Sequence, residues 1–240
     1  MKKSIPNIIT SSNLFSGCIS VVFAFQGLLA EAALLILVGA FLDFFDGLSA
    51  RLLKVASPIG KELDSLADVI TFGFAPSVIV YQLLLDLFPE QPIVPYFAFI
   101  IAVFSAYRLA KFNIDERQTS SFIGVPTPAN ALFWLSIPLI EWQGVHFSSE
   151  IANTVFSFMT NPIFIISNVL IWSLLLIAEI PLFALKFKSF KWKDNKLTFS
   201  FIGISILLFM LFYFIAIPII LILYIILSVI TNSIQSKNEI

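Results

Sequence analysis

Cysteine and histidine, on which many metal sites and nucleophilic sites depend, are almost missing from this sequence. Cys18 is the one cysteine and His146 the one histidine among 240 residues. A single cysteine excludes an internal disulfide and a cysteine-based zinc site. A single histidine excludes a histidine metal cluster and argues against a serine–histidine hydrolase.

Charged residues are also scarce. They make up 12% of the chain, about half of the share in ordinary soluble domains, whereas 59% of the residues are hydrophobic. The mean hydropathy is +0.97, and apolar runs of about 18 or more residues recur along the chain. This composition excludes a nucleic-acid-binding protein, a disordered protein and a secreted disulfide scaffold. The sequence therefore predicts an integral membrane protein whose partner is the lipid bilayer.

The apolar runs are predicted to be helices, because a backbone in lipid must satisfy its own hydrogen bonds. The predicted fold is all-α, a polytopic transmembrane helix bundle of about eight spans. These spans cover residues 8–29, 32–53, 67–88, 93–112, 126–142, 162–184, 197–214 and 216–231. The last two could form one element kinked at Pro218, but together they exceed the length that one bilayer thickness requires.

Positive charge gives an independent test of this count. All 14 Lys and Arg residues lie at residues 2–3, 51–61, 108–117, 186–196 and 237. With eight spans, these places are the two termini and the loops on one side of the membrane. The positive-inside rule then predicts a multi-pass protein of the cell membrane, such as a bacterial inner membrane, with both termini cytoplasmic.

Four aspartates lie within or beside the second and third predicted helices, where charge is costly and so indicates function. On the second helix, five residues fall on one face at helical spacing: Asp43, Asp46, Gly47, Ala50 and Arg51. Asp64 and Asp68 share a face if the third helix begins near Glu62. Between the helices, Pro58 and Gly60 are interpreted as breakers in a turn, so that the two acidic faces meet.

Carboxylates that converge in this way repel one another unless cations neutralise them. Ligation by oxygen alone suits Mg²⁺ or Mn²⁺. Two such ions can bind a diphosphate and polarise a phosphorus centre. The pattern therefore predicts two divalent cations and a phosphate-transfer site at the membrane boundary.

The spacing of these residues resembles the signature of the CDP-alcohol phosphatidyltransferase family, D-x2-D-G-x2-A-R-x8-G-x3-D-x3-D. Every fixed position matches: Asp43, Asp46, Gly47, Ala50, Arg51, Gly60, Asp64 and Asp68. Residues 5–10 resemble the Pro-Asn-x-x-Thr entry to the first helix seen in many members of that family, and the segments at 60–76, 107–113 and 122–126 are similar to its phosphatidylserine synthase branch. The resemblance covers residues 5–142, roughly, and the segment from 162 to 240 matches only in being hydrophobic.

The resemblance implies a reaction and roles for the matched residues. CDP-diacylglycerol and L-serine would give phosphatidylserine and CMP, with the active site cytoplasmic. Asp43, Asp46 and Asp64 would hold the metal pair, with Asp68 as a further ligand and the catalytic base. CDP-diacylglycerol would bind at Asn7, Thr10, Asp43, Asp46, Gly47, Ala50, Arg51 and Gly60. The family also implies a homodimer.

The serine carboxylate needs a cation other than Arg51, which the nucleotide is expected to occupy. Arg108 is the candidate, because arginine binds a carboxylate with two parallel hydrogen bonds, and Asn113 follows it at the same helix end. The alternative for Arg108 is a topology anchor. Residues 126–184 contain no Lys or Arg, which favours an acceptor without phosphate.

Other interpretations stay open at this point. One is a sister enzyme that uses choline, glycerol phosphate or inositol phosphate, and another is a small secondary transporter with carboxylates in its pathway. We predict a membrane core over residues 1–185, followed at 186–240 by a basic cytoplasmic loop and two helices beyond the six-helix family core. Glu179 has no partner that the sequence identifies.

Overall fold

Helices make up nearly all of the computed structural model, which describes residues 4–55, 57–115, 122–183, 192 and 195–238. The α-helices are α1 Ser4–Phe25, α2 Leu29–Leu53, α3 Pro58–Asp68, α4 Ala75–Leu87, α5 Ile100–Ile114, α6 Thr127–His146, α7 Glu150–Met159, α8 Pro162–Ile177, α9 Lys196–Phe212 and α10 Ala216–Asn238. A π-helical segment, Val69–Phe74, joins α3 to α4, and 3₁₀ turns cover Val94–Phe99 and Tyr213–Ile215. The predicted all-α class is confirmed, with one short strand pair added.

That strand pair joins two distant parts of the chain. Strand β1, Phe122–Ile123, runs antiparallel to β2, Pro181–Leu182. Beside it, the N–H of Gly124 donates to the carbonyl of Ile180 at 2.9 Å. The pairing therefore holds the segment before α6 against the segment after α8.

Within the described residues, five helical stretches are long and apolar enough to cross a membrane: Ser4–Phe25, Leu29–Leu53, Pro58–Leu87, Val94–Ile114 and Lys196–Ser233. The pair α7 and α8, bent by 69°, would make a sixth if it forms one span. A helical membrane protein is thus confirmed, but the predicted count of about eight spans is not. The helix α6 is not among these stretches, and the last two predicted spans fall within one 38-residue stretch.

Pro58 and Gly60, which the sequence predicted to lie in a turn before the third helix, lie in the first turn of that helix. Helix α3 starts at Pro58, and the Ser57 side chain caps it by accepting a hydrogen bond from the N–H of Gly60 at 3.0 Å. Proline suits the first helical position because the N–H that it lacks would have no partner there. Interpreting Pro58 and Gly60 as breakers was therefore wrong, and the helical stretch runs without interruption to Leu87.

The sixth predicted span, 162–184, is too long. Helix α8 ends at Ile177 and the chain turns into β2 at Pro181. Proline has no N–H for a helical hydrogen bond, so it favours this exit. Most of residues 184–194, including most of the predicted basic loop, lie outside the described residues, and the division at residue 185 stays a prediction.

The first helices pack at unusually short range around Thr71 of the π segment. A Cβ at Gly17 of α1 would lie 2.5 Å from the Thr71 hydroxyl oxygen, and a Cβ at Gly39 of α2 would lie 2.5 Å from its methyl carbon. The Thr71 hydroxyl also donates to the carbonyl of Asn13 at 3.1 Å. Glycine at both positions therefore allows three helical segments to meet at one threonine.

Helix α6 is the most deeply buried helix of the core and joins it to the last helices. Its Phe133 stacks on Trp172 of α8 with ring centroids 4.3 Å apart. At its other end, the Gln143 amide donates to the carbonyl of Phe212 at 3.2 Å and accepts from the N–H of Phe214 at 2.9 Å. These two bonds satisfy backbone groups where α9 breaks before α10.

Candidate active site

Three of the four predicted aspartates come together where α2 meets α3. Asp43 on α2 and Asp64 and Asp68 on α3 each offer one carboxylate oxygen, and these oxygens lie within 4.8 Å of one another. Asp64 and Asp68 are one helical turn apart, so they point to the same side of α3. All three side chains are half-buried.

The cluster suits a divalent cation. The Oδ1 atom of Asp68 is buried and has no hydrogen-bond partner in the structure, which is costly unless a ligand occupies it. The donors are all carboxylate oxygens, which are the ligands that Mg²⁺ and Mn²⁺ prefer. Asp43, Asp64 and Asp68 are thus the residues that would hold a metal.

Asp46, the fourth aspartate, is engaged differently. It is 7% exposed, and its Oδ2 accepts a hydrogen bond from the Thr10 hydroxyl at 2.6 Å. This bond ties the first turns of α1 to α2. It also fixes the orientation of the Asp46 carboxylate beside the three-aspartate cluster rather than within it.

A cavity of about 260 Å³ opens next to the cluster. It is lined by Pro6, Asn7, Thr10, Asp46, Gly47, Ala50, Val55, Ser57, Gly60, Lys61 and Asp64. Six residues predicted to bind the nucleotide lie in this lining, from Asn7 to Gly60, while Asp43 and Arg51 do not. Asp64 belongs to both the cavity and the acidic cluster, so the two features form one site.

Lys61 and Ser57 are lining residues that the sequence reasoning missed. Lys61 directly follows Gly60 of the signature and was counted only as a topology charge. Its ammonium group donates to the carbonyl of Asn113 at 3.1 Å. A lysine held in the wall of a cavity next to carboxylates is a suitable partner for phosphate oxygens.

Two glycines of the signature give the cavity its shape. A Cβ at Gly60 would lie 2.9 Å from the Ser57 hydroxyl oxygen and 3.0 Å from Asn7 Oδ1, so a side chain there would crowd the wall. A Cβ at Gly47 would meet no atom closer than the Arg51 guanidinium at 3.7 Å. Gly47 therefore leaves open space, with the exposed Arg51 at the rim.

Arg108, predicted to bind the acceptor, is buried at 5% exposure. Its Nε donates to the carbonyl of Val125 at 2.9 Å, and its guanidinium lies 5.4 Å from the ring centroid of Phe112. It also interacts electrostatically with Asp68. Arg108 is thus a buried side chain near Asp68, and its assignment to the acceptor stays a prediction.

Asn113, the second predicted acceptor residue, links helices instead of lining the cavity. Its amide donates to the Ser65 hydroxyl at 2.8 Å, and its carbonyl accepts the bond from Lys61. Nearby, Lys111 forms an ion pair with Glu179. Glu179, which had no identified partner in the sequence, thus connects α5 to the segment after α8.

The family described as CDP-alcohol phosphatidyltransferase matches residues 3–180. The CDP-diacylglycerol–serine O-phosphatidyltransferase of Bacillus subtilis is 40% identical over 124 residues, which are 52% of this chain and 69% of that protein. The Helicobacter pylori protein of the same name is 39% identical over 138 residues, 57% of each chain. The archaetidylserine synthase of Methanothermobacter thermautotrophicus is 30% identical over 131 residues, 54% of this chain and 55% of that protein.

The chain thus spans between about half and about two thirds of these curated relatives. The family match itself covers most of the chain and includes the acidic cluster, the cavity and Arg108. The chain belongs to the CDP-alcohol phosphatidyltransferase family.

Proposed function

We propose that the protein transfers the phosphatidyl group from CDP-diacylglycerol to L-serine, giving phosphatidylserine and CMP. The observation that carries this proposal is the shared position of Asp64, which lies both in the acidic cluster and in the wall of the cavity lined by six of the residues predicted to bind the nucleotide. The serine synthases among the relatives support serine as the acceptor.

In this reaction the serine hydroxyl oxygen forms a bond to the phosphorus next to diacylglycerol, and the bond from that phosphorus to the CMP oxygen breaks. The hydroxyl proton passes to Asp68, the acid of the cluster deepest along α3. A weak nucleophile such as a hydroxyl requires a base of this kind within hydrogen-bond reach.

The nucleotide would lie in the cavity lined by Asn7, Thr10 and Gly47. Lys61 and Arg51 would neutralise its phosphate oxygens. Asp43, Asp64 and Asp68 would hold two divalent cations, Mg²⁺ or Mn²⁺, with Asp46 completing the set from its bond to Thr10. Bound cations would supply charge neutralisation for the diphosphate and the departing CMP.

The acceptor would approach from the side of Arg108, which offers its guanidinium to the serine carboxylate. The absence of Lys and Arg from residues 126–184 supports an acceptor without phosphate over glycerol phosphate or inositol phosphate. Choline, which has no carboxylate, would leave Arg108 without a ligand to recognise.

The distribution of Lys and Arg supports an orientation with the active site and both termini in the cytoplasm. Serine and CMP are water-soluble, so a site at this boundary is accessible to both. The homodimer implied by the family stays a prediction.

An acceptor panel tests the proposal. Purified protein is given CDP-diacylglycerol, Mg²⁺ or Mn²⁺ and one alcohol at a time, and both CMP and the lipid product are measured. We expect phosphatidylserine from L-serine alone, and loss of the reaction in excess EDTA with recovery when the metal is restored.

Asp64→Asn should abolish turnover, whereas Asp86→Asn, which changes an exposed acid at the far end of α4, should not. Another preferred alcohol, or full activity in EDTA, would contradict the proposal.

A further inference from the structure

The N-terminal turn of α6 is an uncapped helix start inside the protein. Its N-cap residue, Pro126, makes no side-chain hydrogen bond to the turn. The first N–H groups of a helix have no partner within the helix and carry a partial positive charge. Such a turn is suited to an anion when other donors join it.

Two polar side chains on this turn are fully buried, and each has one polar atom without a hydrogen-bond partner. Thr127 and Asn130 are both 0% exposed, and neither Oγ1 of Thr127 nor Nδ2 of Asn130 has a hydrogen-bond partner. They are three residues apart, so they lie on one face of α6. Two orphaned groups at one helix start indicate a missing ligand, because each is costly to bury alone.

The amide of Asn130 has a defined orientation. Its Oδ1 accepts a hydrogen bond from the indole N–H of Trp134 at 3.0 Å, and an indole N–H can only donate. The group without a partner is therefore the NH₂, a donor. The Thr127 hydroxyl can also donate, so both orphaned groups suit an acceptor-rich ligand.

Arg108 brings positive charge to the same place. Its bond to the carbonyl of Val125 puts the guanidinium two residues before Thr127, at the start of α6. Its electrostatic interaction with Asp68 connects this turn to the acidic cluster. Arg108 thus bonds to the segment that leads into α6 and lies near enough to Asp68 to interact with its charge.

We propose that this turn is the carboxylate subsite for the acceptor: Thr127, Asn130 and Arg108 bind the α-carboxylate of an amino acid whose hydroxyl faces Asp68. This inference rests on the proposed function and extends it to residues outside the family signature. A carboxylate offers about four acceptor positions in one plane, which matches a hydroxyl, an amide and a guanidinium around a helix start.

The test uses isosteric variants of the full-length enzyme, Thr127→Val and Asn130→Leu. We expect each to raise the KM for L-serine by about 10- to 100-fold, the size of a lost hydrogen bond to a charged group, and to change the KM for CDP-diacylglycerol less than about twofold. Asn130→Leu also removes the acceptor of the Trp134 indole N–H, so stability is compared in Thr127→Val. The thermal midpoint of that variant without serine should stay the same or rise, because an apolar group replaces an unpartnered hydroxyl. A purely structural role would instead lower that midpoint and leave the serine KM in place.

Two further variants make the result decisive. Thr127→Ser keeps the hydroxyl and should keep the serine KM near the wild-type value. Ser136→Ala removes another buried hydroxyl of α6, one that is bonded to the carbonyl of Phe133, and should also leave the serine KM unchanged. An unchanged serine KM in both Thr127→Val and Asn130→Leu would overturn the subsite. Wild-type protein that makes no phosphatidylserine would instead overturn the proposed function, so the two failures are distinguishable.

Discussion

Gly60 shows how one missing side chain defines the substrate cavity. The first turn of α3 lies so close to α1 that a Cβ at Gly60 would be 3.0 Å from Asn7 Oδ1. The contact brings together two chain segments that both line the cavity. The position of the α3 start relative to α1 therefore depends on this residue.

Gly60→Ala should accordingly impair substrate binding. The new methyl must displace Ser57 or Asn7, and small displacements of positioning groups are costly to rate. We expect a rise of about tenfold or more in the KM for CDP-diacylglycerol, measured by CMP release. Gly203→Ala is the matched control, since no atom lies within 4 Å of a Cβ there. Equal behaviour of the two variants would show that the close approach has no role in binding.

Asp68→Asn tests the base directly. The amide keeps the size of the carboxylate but does not accept the serine proton, so kcat should fall by about 10²–10⁴. Binding of CDP-diacylglycerol, followed by equilibrium titration, should persist better than turnover. A rate near that of the wild type would transfer the role of base to another residue.

Helix α3 is the element that positions two of the three clustered aspartates, and its start was the part of the hairpin that the sequence mispredicted. Proline and glycine together favour a turn in isolation, but proline at the first helical position with a serine cap before it favours a helix. Local composition did not distinguish these alternatives, whereas the Ser57 cap in the structure does. The spacing alone nevertheless predicted which helix carries each aspartate and that Asp64 and Asp68 share a face.

The cap of α3 offers a test at this scale. Ser57→Ala should lower stability by about 1 kcal/mol and also reduce kcat, because the first turn of α3 carries the cavity wall and leads to Asp64. Ser149→Ala removes the equivalent cap of α7, where Ser149 accepts from the N–H of Ala152 at 3.3 Å. We expect a comparable loss of thermal stability in detergent there, with activity retained. Ser57→Thr keeps the cap and should behave as wild type, and a loss of activity in that variant would contradict a capping role.

At the scale of the whole molecule, orientation in the membrane can be tested with the single native cysteine removed. In a Cys18→Ser background, Glu90→Cys should react with an impermeant maleimide in intact cells, because the loop at residues 88–93 contains no Lys or Arg and is predicted to lie outside. Lys196→Cys should react only after permeabilisation, because basic segments remain cytoplasmic. The Cys18→Ser parent gives the background labelling, and the reverse pattern would invert the proposed topology.

The sequence predicted the family, the helical membrane fold and the residues that form the acidic cluster and most of the cavity. It did not predict Thr127 and Asn130, because threonine and asparagine in an apolar helix are ordinary until packing shows that each is buried with one polar atom unpartnered. It also missed the pairing of Lys111 with Glu179, which are 68 residues apart. Spacing along one helix reports a shared face, whereas contacts between distant segments depend on how the helices cross.

The junction of Gly17, Gly39 and Thr71 has a consequence for how this sequence tolerates mutation. Each glycine sits on a helix that also carries residues of the site, and Thr71 is one turn beyond Asp68. A methyl group added at either glycine would overlap Thr71 and push apart the helices that hold Thr10, Asp43 and Asp68. In a saturation mutagenesis screen, these two glycines would therefore appear as intolerant as the aspartates, although neither is among the residues that line the described cavity.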